Sequence, residues 1–244
     1  MQINISAVSY TNTKPFIYGL HHAGIPLDIN LSLDVPSECA QKLIDRRADV
    51  GIVPVAAIPF IPDARIITDF CIGAEGPVNS VFIFSQKPIH TINSLRLDKQ
   101  SRTSNNLAKV LLHNFWNREV ALVLDGQADA FVEIGDRTFG KTGLYPYVYD
   151  LASCWIDFTG LPFAFATWTA NRDLPPDFMG AFNKALAYGI AHRAELLRTL
   201  PTIAGFDLEK YLMVNLDYHL TDKKRQAIEL FLHFITELES ASKL

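Results

Sequence analysis

Short apolar runs of strand length alternate with stretches of helical period along this chain. Residues 2–8 read as a strand. Residues 14–23 put Phe16, Ile17 and Leu20 on one helical face, and Leu27 to Leu33 alternates as a strand again. Residues 37–47 form a helix with Cys39, Ala40, Leu43 and Ile44 inward, and Asp49 to Val53 is a short buried strand. This β-α-β-α-β order predicts a parallel sheet with helices on its faces. Right-handed crossovers then gather the strand C-termini along one edge, where ligands collect.

A second α/β unit follows. After Gly76-Pro77, Val81 to Ser85 reads as a strand, 103–115 as a helix and 121–128 as a further helix. Strands are predicted over 130–134, ending in Gly135-Asp136, and over 147–149 and 163–168. Two helices close the chain. One spans 177–198 with Phe178, Phe182, Ala185 and Gly189 on one face. The other spans 222–239 with Ile228, Phe231, Leu232 and Ile235 inward and Thr221 as N-cap. Only Asn117-Arg118-Glu119-Val120 separates the helix ending near Trp116 from Ala121. A parallel crossover normally places a strand and loop there, so the sheet order of this unit stays open. The strands at 80–85 and 163–168 bracket the middle unit and suit two crossings between lobes. The expected division is 1–80 plus 167–244 for lobe I and 81–166 for lobe II, with a ligand cleft between them. One continuous sheet is the alternative.

Composition narrows the classes. The 244 residues are 49% hydrophobic and 20% charged, ample for a core, and the net charge of −4 comes with no basic stripe, which argues against nucleic acid. Cys39, Cys71 and Cys154 are scattered and read as buried thiols, neither a disulfide framework nor a metal site. No run approaches the ~20 apolar residues of a membrane span. The first cation is Lys14, and no signal-peptide pattern precedes it. A soluble, cytoplasmic protein is expected. None of His21, His22, His90, His113, His192, His219 and His233 has a partner at metal-ligand or triad spacing. P-loop, dinucleotide and nucleophile-elbow motifs are absent from the sequence.

What remains is polar and mostly neutral. Ser9-Tyr10-Thr11-Asn12-Thr13 lies between a strand C-terminus and a helix with Pro15 in its first turn. Helix capping explains one of these five side chains, so the cluster reads as a ligand site, its free N–H groups suited to an anion. Ser101-Arg102-Thr103-Ser104 precedes a second helix and suits a carboxylate or phosphate, with Arg102 adding charge. Asn79-Ser80 either faces the cleft or ends a turn. Gly135 permits close backbone approach to a ligand, while Asp136-Arg137 equally forms a surface pair.

Five segments together carry a resemblance: "SYTNTKPF", "DVPSECAQKLIDRRADVGIVPVAAIP", "GPVNSVFIFS", "SRTSNNLAKVLL" and "ADAFVEIGDRTF". In this order, over residues 5 to 170, they resemble the chorismate dehydratase family of menaquinone biosynthesis by the futalosine route. The sister enzyme acting on cyclic dehypoxanthinyl futalosine usually opens with a Ser-Pro-Cys-Pro-Asn-Asp-type segment, which is not found here. The resemblance implies an α/β fold of the type II periplasmic-binding-protein kind, each lobe a mixed sheet flanked by helices. It implies a hydro-lyase that turns chorismate into 3-[(1-carboxyvinyl)oxy]benzoate without metal or cofactor, the substrate's enolpyruvyl carboxylate serving as base. Asn12 would then orient the reacting carboxylate or leaving hydroxyl, and Ser80 would bond nearby. Ser101, Thr103 and Ser104 would receive the ring carboxylate, with Ser9, Tyr10, Thr11, Asn79, Arg102, Gly135 and Asp136 completing the substrate site. Two other readings need features not seen in the sequence. A non-catalytic solute-binding protein needs a signal or lipid anchor, and a regulator's effector domain needs a helix-turn-helix.

Overall fold

The first strand, β1 (Ile3–Val8), is buried on both faces except at Asn4, as a central strand between helical layers requires. In the computed structural model, which describes residues 2–241, it is followed by α1 (Lys14–His22), β2 (Ile29–Asp34), α2 (Pro36–Ile44), β3 (Val50–Pro54) and β4 (Arg65–Ala74). Next come β5 (Val81–Ser85), β6 (Ser94–Arg96), α3 (Arg102–Val110), β7 (Ala121–Val123), β8 (Ala130–Ile134), β9 (Tyr147–Asp150) and α4 (Leu151–Thr159). The chain ends with β10 (Phe163–Ala170), α5 (Pro176–Ala191), α6 (Arg193–Leu197), the short α7 (Leu208–Lys210), β11 (Asp217–His219) and α8 (Asp222–Ala241).

These strands form two mixed sheets. The larger has the order β11-β4-β10-β3-β1-β2. Its β2, β1 and β3 are parallel, and β10 runs antiparallel to β3 and β4. The smaller has the order β7-β6-β8-β5-β9, with β7, β6 and β8 parallel and β5 antiparallel to its neighbours. The chain passes from the larger sheet to the smaller between β4 and β5. It returns through 160–162, because β10 pairs within the larger sheet from Phe163 onward.

Three expectations change. Residues 121–128 are not helical. Ala121–Val123 is β7, in parallel register with Ser94–Arg96, and the chain then turns at Gly126 with φ 89°. The helix α3 runs on as a π-helical turn over Leu111–Phe115, and Asn117 at φ 50° sends the chain straight into the strand. The strand that a parallel crossover places there is Ala121–Val123 itself. The helix expected over 177–198 breaks at His192 (φ −102°, ψ 22°), whose ring Nδ1 sits 2.7 Å from the Tyr188 carbonyl. Finally, β4 and α4 were not expected. Thr68 and Asp69 interrupt the apolar pattern of β4, which strands on both sides nevertheless pair. α4 carries its own punctuation: Asp150 caps its first N–H groups, and Gly160 ends it at φ 73°.

Aromatic rings lock the helices to the larger sheet. Phe16 of α1 meets Trp168 and Tyr218 edge-on, with centroids 5.7 and 5.3 Å apart, and Phe182 of α5 meets Trp168 at 5.1 Å. The fully buried Lys224 of α8 pairs with Asp217 and donates to the His219 carbonyl at 2.8 Å. α1 and α5 cross at two glycines. A Cβ on Gly189 would lie 1.9 Å from the Pro15 carbonyl oxygen, and one on Gly19 would lie 2.0 Å from that of Ala185. This crossing holds α1, and hence the turn that precedes it, at a set distance from the sheet. Gly189→Ala should cost about 2–3 kcal/mol by forcing the helices apart, read as a lower denaturation midpoint. Gly143→Ala, where a Cβ meets nothing within 4 Å, should leave the midpoint in place.

Candidate functional site

The turn after β1 is a 3-10 segment, Thr11–Thr13, that feeds α1. It borders a cavity of about 50 Å³ between the two sheets. Tyr10 and Asn12 of this turn line it, with Ser80 before β5, Ser101, Thr103 and Ser104 at the start of α3, and Gly135 at the end of β8. Val8, Pro36, Pro54, Ile72, Val78, Val81, Ile134, Phe165 and Ala166 supply its apolar wall. No Asp, Glu, His, Lys, Arg or Cys of the described residues is among the lining groups. Nor, among those residues, is there a group of three His, Cys, Asp or Glu able to hold a metal ion.

Contacts across the cavity rim hold the two sides together. Asp136 accepts from the Thr11 N–H at 2.9 and 3.1 Å and from its hydroxyl at 2.8 Å. The Tyr10 hydroxyl donates to Gln100, and Arg137 reaches both Tyr10 at 3.5 Å and the buried Asp98 at 2.6 Å. Thr103 accepts from the Ala56 N–H at 3.2 Å. Gly135 has φ 64°, and a Cβ there would lie 2.6 Å from the Tyr10 ring. Glycine serves both needs: a left-handed backbone and contact with a flat aromatic face.

Beneath the cavity lies a row of buried tyrosines. The Tyr211 hydroxyl donates to Ser80 Oγ at 2.9 Å. The Tyr218 hydroxyl donates to the Asn12 carbonyl at 3.0 Å, and the Thr13 hydroxyl donates to Asn12 Oδ1 at 3.2 Å. Burial pushes both phenols well above their ordinary pKa. Burial also raises that of Tyr10, against the lowering pull of Arg137. All three stay protonated near neutrality and serve as hydrogen-bonding groups.

The residues singled out in the sequence divide into two sets. Asn12, Ser80, Tyr10, Ser101, Thr103, Ser104 and Gly135 converge on the cavity. Ser9, Thr11, Asn79, Arg102 and Asp136 do not line it. Ser9 is exposed and its N–H bonds the Asp34 carbonyl at 2.8 Å. Thr11 and Asp136 satisfy each other, so the amide offered to an anionic ligand already has a carboxylate from the chain. Arg102 is exposed, its guanidinium 4.8 Å above the Phe60 ring. Asn79 is a turn residue at φ 57°. Its N–H and that of Val78 bond Asp150 at 2.7 and 3.2 Å. Burial raises the pKa of the Asp150 carboxyl, and its four backbone N–H partners oppose that shift. Tyr211 and Tyr218 went unnoticed in the sequence, where each reads as an ordinary aromatic core position.

Two mixed sheets joined by two crossings, with a cavity between them, define the periplasmic-binding-protein class of fold. Solved structures agree. A protein of Archaeoglobus fulgidus superposes with a TM-score of 0.73 at 16% identity, covering 98% of both chains. The alkanesulfonate-binding protein of Xanthomonas axonopodis pv. citri, bound to MOPS, gives 0.63 at 14% identity, covering 100% of this chain and 93% of that one. A Candida albicans gene product described as having the generic periplasmic binding protein fold gives 0.60 at 9% identity, with coverage of 97% and 94%. Within that class the chain belongs to the menaquinone biosynthesis family, whose model matches residues 3–237. It is 27% identical over 258 aligned positions to the chorismate dehydratase of Thermus thermophilus, covering 89% of this chain and 94% of that protein.

The Asp136 contact has a measurable consequence. Asp136→Ala leaves the Thr11 N–H and hydroxyl without their partner, a loss of about 1–3 kcal/mol from the closed arrangement. The open form should gain at least about fivefold in population, and small-angle scattering should give a larger radius of gyration. An unchanged radius would mean that other contacts hold the cleft shut.

Proposed function

We propose that the chain is a hydro-lyase that removes water from chorismate to give 3-[(1-carboxyvinyl)oxy]benzoate. The observation that carries this reading is a cavity walled by neutral hydrogen-bonding groups with no acidic, basic or thiol side chain on it. Membership of a menaquinone biosynthesis family and likeness to a chorismate dehydratase support the choice of substrate.

The chemistry suits such a wall. A proton leaves the ring carbon that bears the enolpyruvyl ether, and hydroxide leaves its neighbour. The ring becomes aromatic, so the elimination is strongly downhill and a weak base suffices. The substrate's enolpyruvyl carboxylate is that base, and the protein aims it. Near-attack positioning supplies ~7–11 kcal/mol of a barrier. Asn12 orients the reacting carboxylate or the leaving hydroxyl, with Ser80 beside it. The ring carboxylate sits at the first turn of α3. There Ser101 Oγ satisfies the Ser104 N–H at 3.0 Å, which leaves the N–H groups of Arg102 and Thr103 to be met from outside the helix.

A cavity of about 50 Å³ holds a few waters and no cyclohexadiene dianion. The lobes therefore part to admit the substrate and close again to exclude water. We assign 1–80 plus 163–244 to one lobe and 81–162 to the other, in place of the boundary at 166/167 expected from the sequence. The return crossing moves to 160–162, supported by the pairing of all of β10 with the larger sheet. The reaction as drawn needs no metal or redox cofactor, and a cytoplasmic location goes with it.

Purified protein incubated with chorismate should yield a new aromatic absorbance and a product lighter by one water. Asn12→Ala should lower kcat by about 10²–10³-fold with a much smaller change in KM, whereas Ser104→Ala should mainly raise KM. Absence of the aromatic product, together with tight binding of another small anion, would favour a solute receptor. Turnover of cyclic dehypoxanthinyl futalosine instead would favour the sister lyase.

A further inference from the structure

We propose that Tyr211 is a positioning residue for this elimination. Its phenol sets the hydrogen-bond polarity of Ser80, so that the Ser80 hydroxyl presents its hydrogen to the substrate beside the Asn12 amide. This inference rests on the chorismate reading above.

The argument starts from proton counting. A phenol has one hydrogen, and Tyr211 spends it on Ser80 Oγ at 2.9 Å. Ser80 is buried and borders the cavity, so with that lone pair taken its own hydrogen is free to turn toward the ligand. The Thr13 hydroxyl donates to Asn12 Oδ1 at 3.2 Å, which leaves the amide NH₂ of this cavity-lining residue for the ligand. The departing hydroxide and a carboxylate both accept hydrogen bonds, so two oriented donors are what the step requires.

Tyr211 is held where it can do this. Its ring is fully buried and sits edge-on to Phe139 at 5.2 Å and Phe206 at 5.3 Å. It opens a π-helical segment, Tyr211–Asn215, a conformation found disproportionately at functional sites. At the other end of that segment Asn215 donates to the Pro77 carbonyl at 2.9 Å. The segment thus grips the crossing before β5 at two points, Pro77 and Ser80. Movement of the crossing is transmitted to the Ser80 hydroxyl through the same element.

The test is a double-mutant cycle of kcat and KM on chorismate with the full chain: wild type, Tyr211→Phe, Ser80→Ala and the double variant. Phe keeps the ring contacts and removes only the hydroxyl. Tyr211→Phe should lower kcat about 10- to 100-fold with KM changed less than about threefold. In the Ser80→Ala background the same change should lower kcat far less, because Ser80 is the group through which the phenol acts. Wild-type kcat in Tyr211→Phe, or an equal loss in both backgrounds, would overturn the role of Tyr211. A Tyr211→Phe protein that loses its circular-dichroism signature of folding would overturn it too, since the hydroxyl would then be structural. No turnover of chorismate by the wild type would sink the parent reading and this role together. Turnover by the wild type with any of the other negative results removes Tyr211 alone.

Discussion

The cleft depends on the Asp136 carboxylate held by the Thr11 amide and hydroxyl. A strand entering a helical turn exposes N–H groups that draw an anion. Here the anion belongs to the chain and comes from the far side of the cleft. The contact joins the C-terminal ends of β1 and β8, one strand from each sheet. It also explains Gly135, the residue just before Asp136, across which the Tyr10 ring lies. With the first anion site filled from within, a dianionic ligand must find its carboxylate pocket elsewhere. The first turn of α3 is the neighbouring helix start that borders the cavity.

How much of this was legible in the sequence follows from where its signals are local. The periods of β1, α1, β2, α2 and β3 are local, and the β-α-β-α-β reading of that region matches the strands and helices found. β7 is apolar at every position, so period could not separate strand from helix, and only its pairing with β6 decides. α4 was legible through Asp150 and Gly160, yet its aromatic content obscured them. In the site, composition located the right turns but not the side that each residue faces. Ser9 and Thr11 stand in the same polar run as Tyr10 and Asn12, and only tertiary packing decides which of the four line the cavity. Arg102 looked like the natural partner of an anion, but Phe60 stands outside the cavity to receive it. Tyr211 was illegible, since nothing in Tyr-Leu-Met-Val-Asn distinguishes a core tyrosine from one under Ser80.

A neutral wall around the dianion proposed as substrate has its own logic. Closing on two carboxylates strips them of water, a cost that fixed dipoles must offset. A protein carboxylate in the same cavity would repel both substrate charges, and its pKa would be driven up until it protonated. A buried lysine would hold the anion but also hold its base quiet through an ion pair. Hydroxyls, an amide and helix N–H groups avoid both difficulties, because they stabilise negative charge without taking the proton. The burden then shifts from acidity to direction. Each hydroxyl can serve as donor or acceptor, and a wall of such groups is useful only if something behind it fixes which. In this fold that backing is two buried phenols, too shielded to ionise: Tyr211 bonded to Ser80 and Tyr218 to the Asn12 carbonyl.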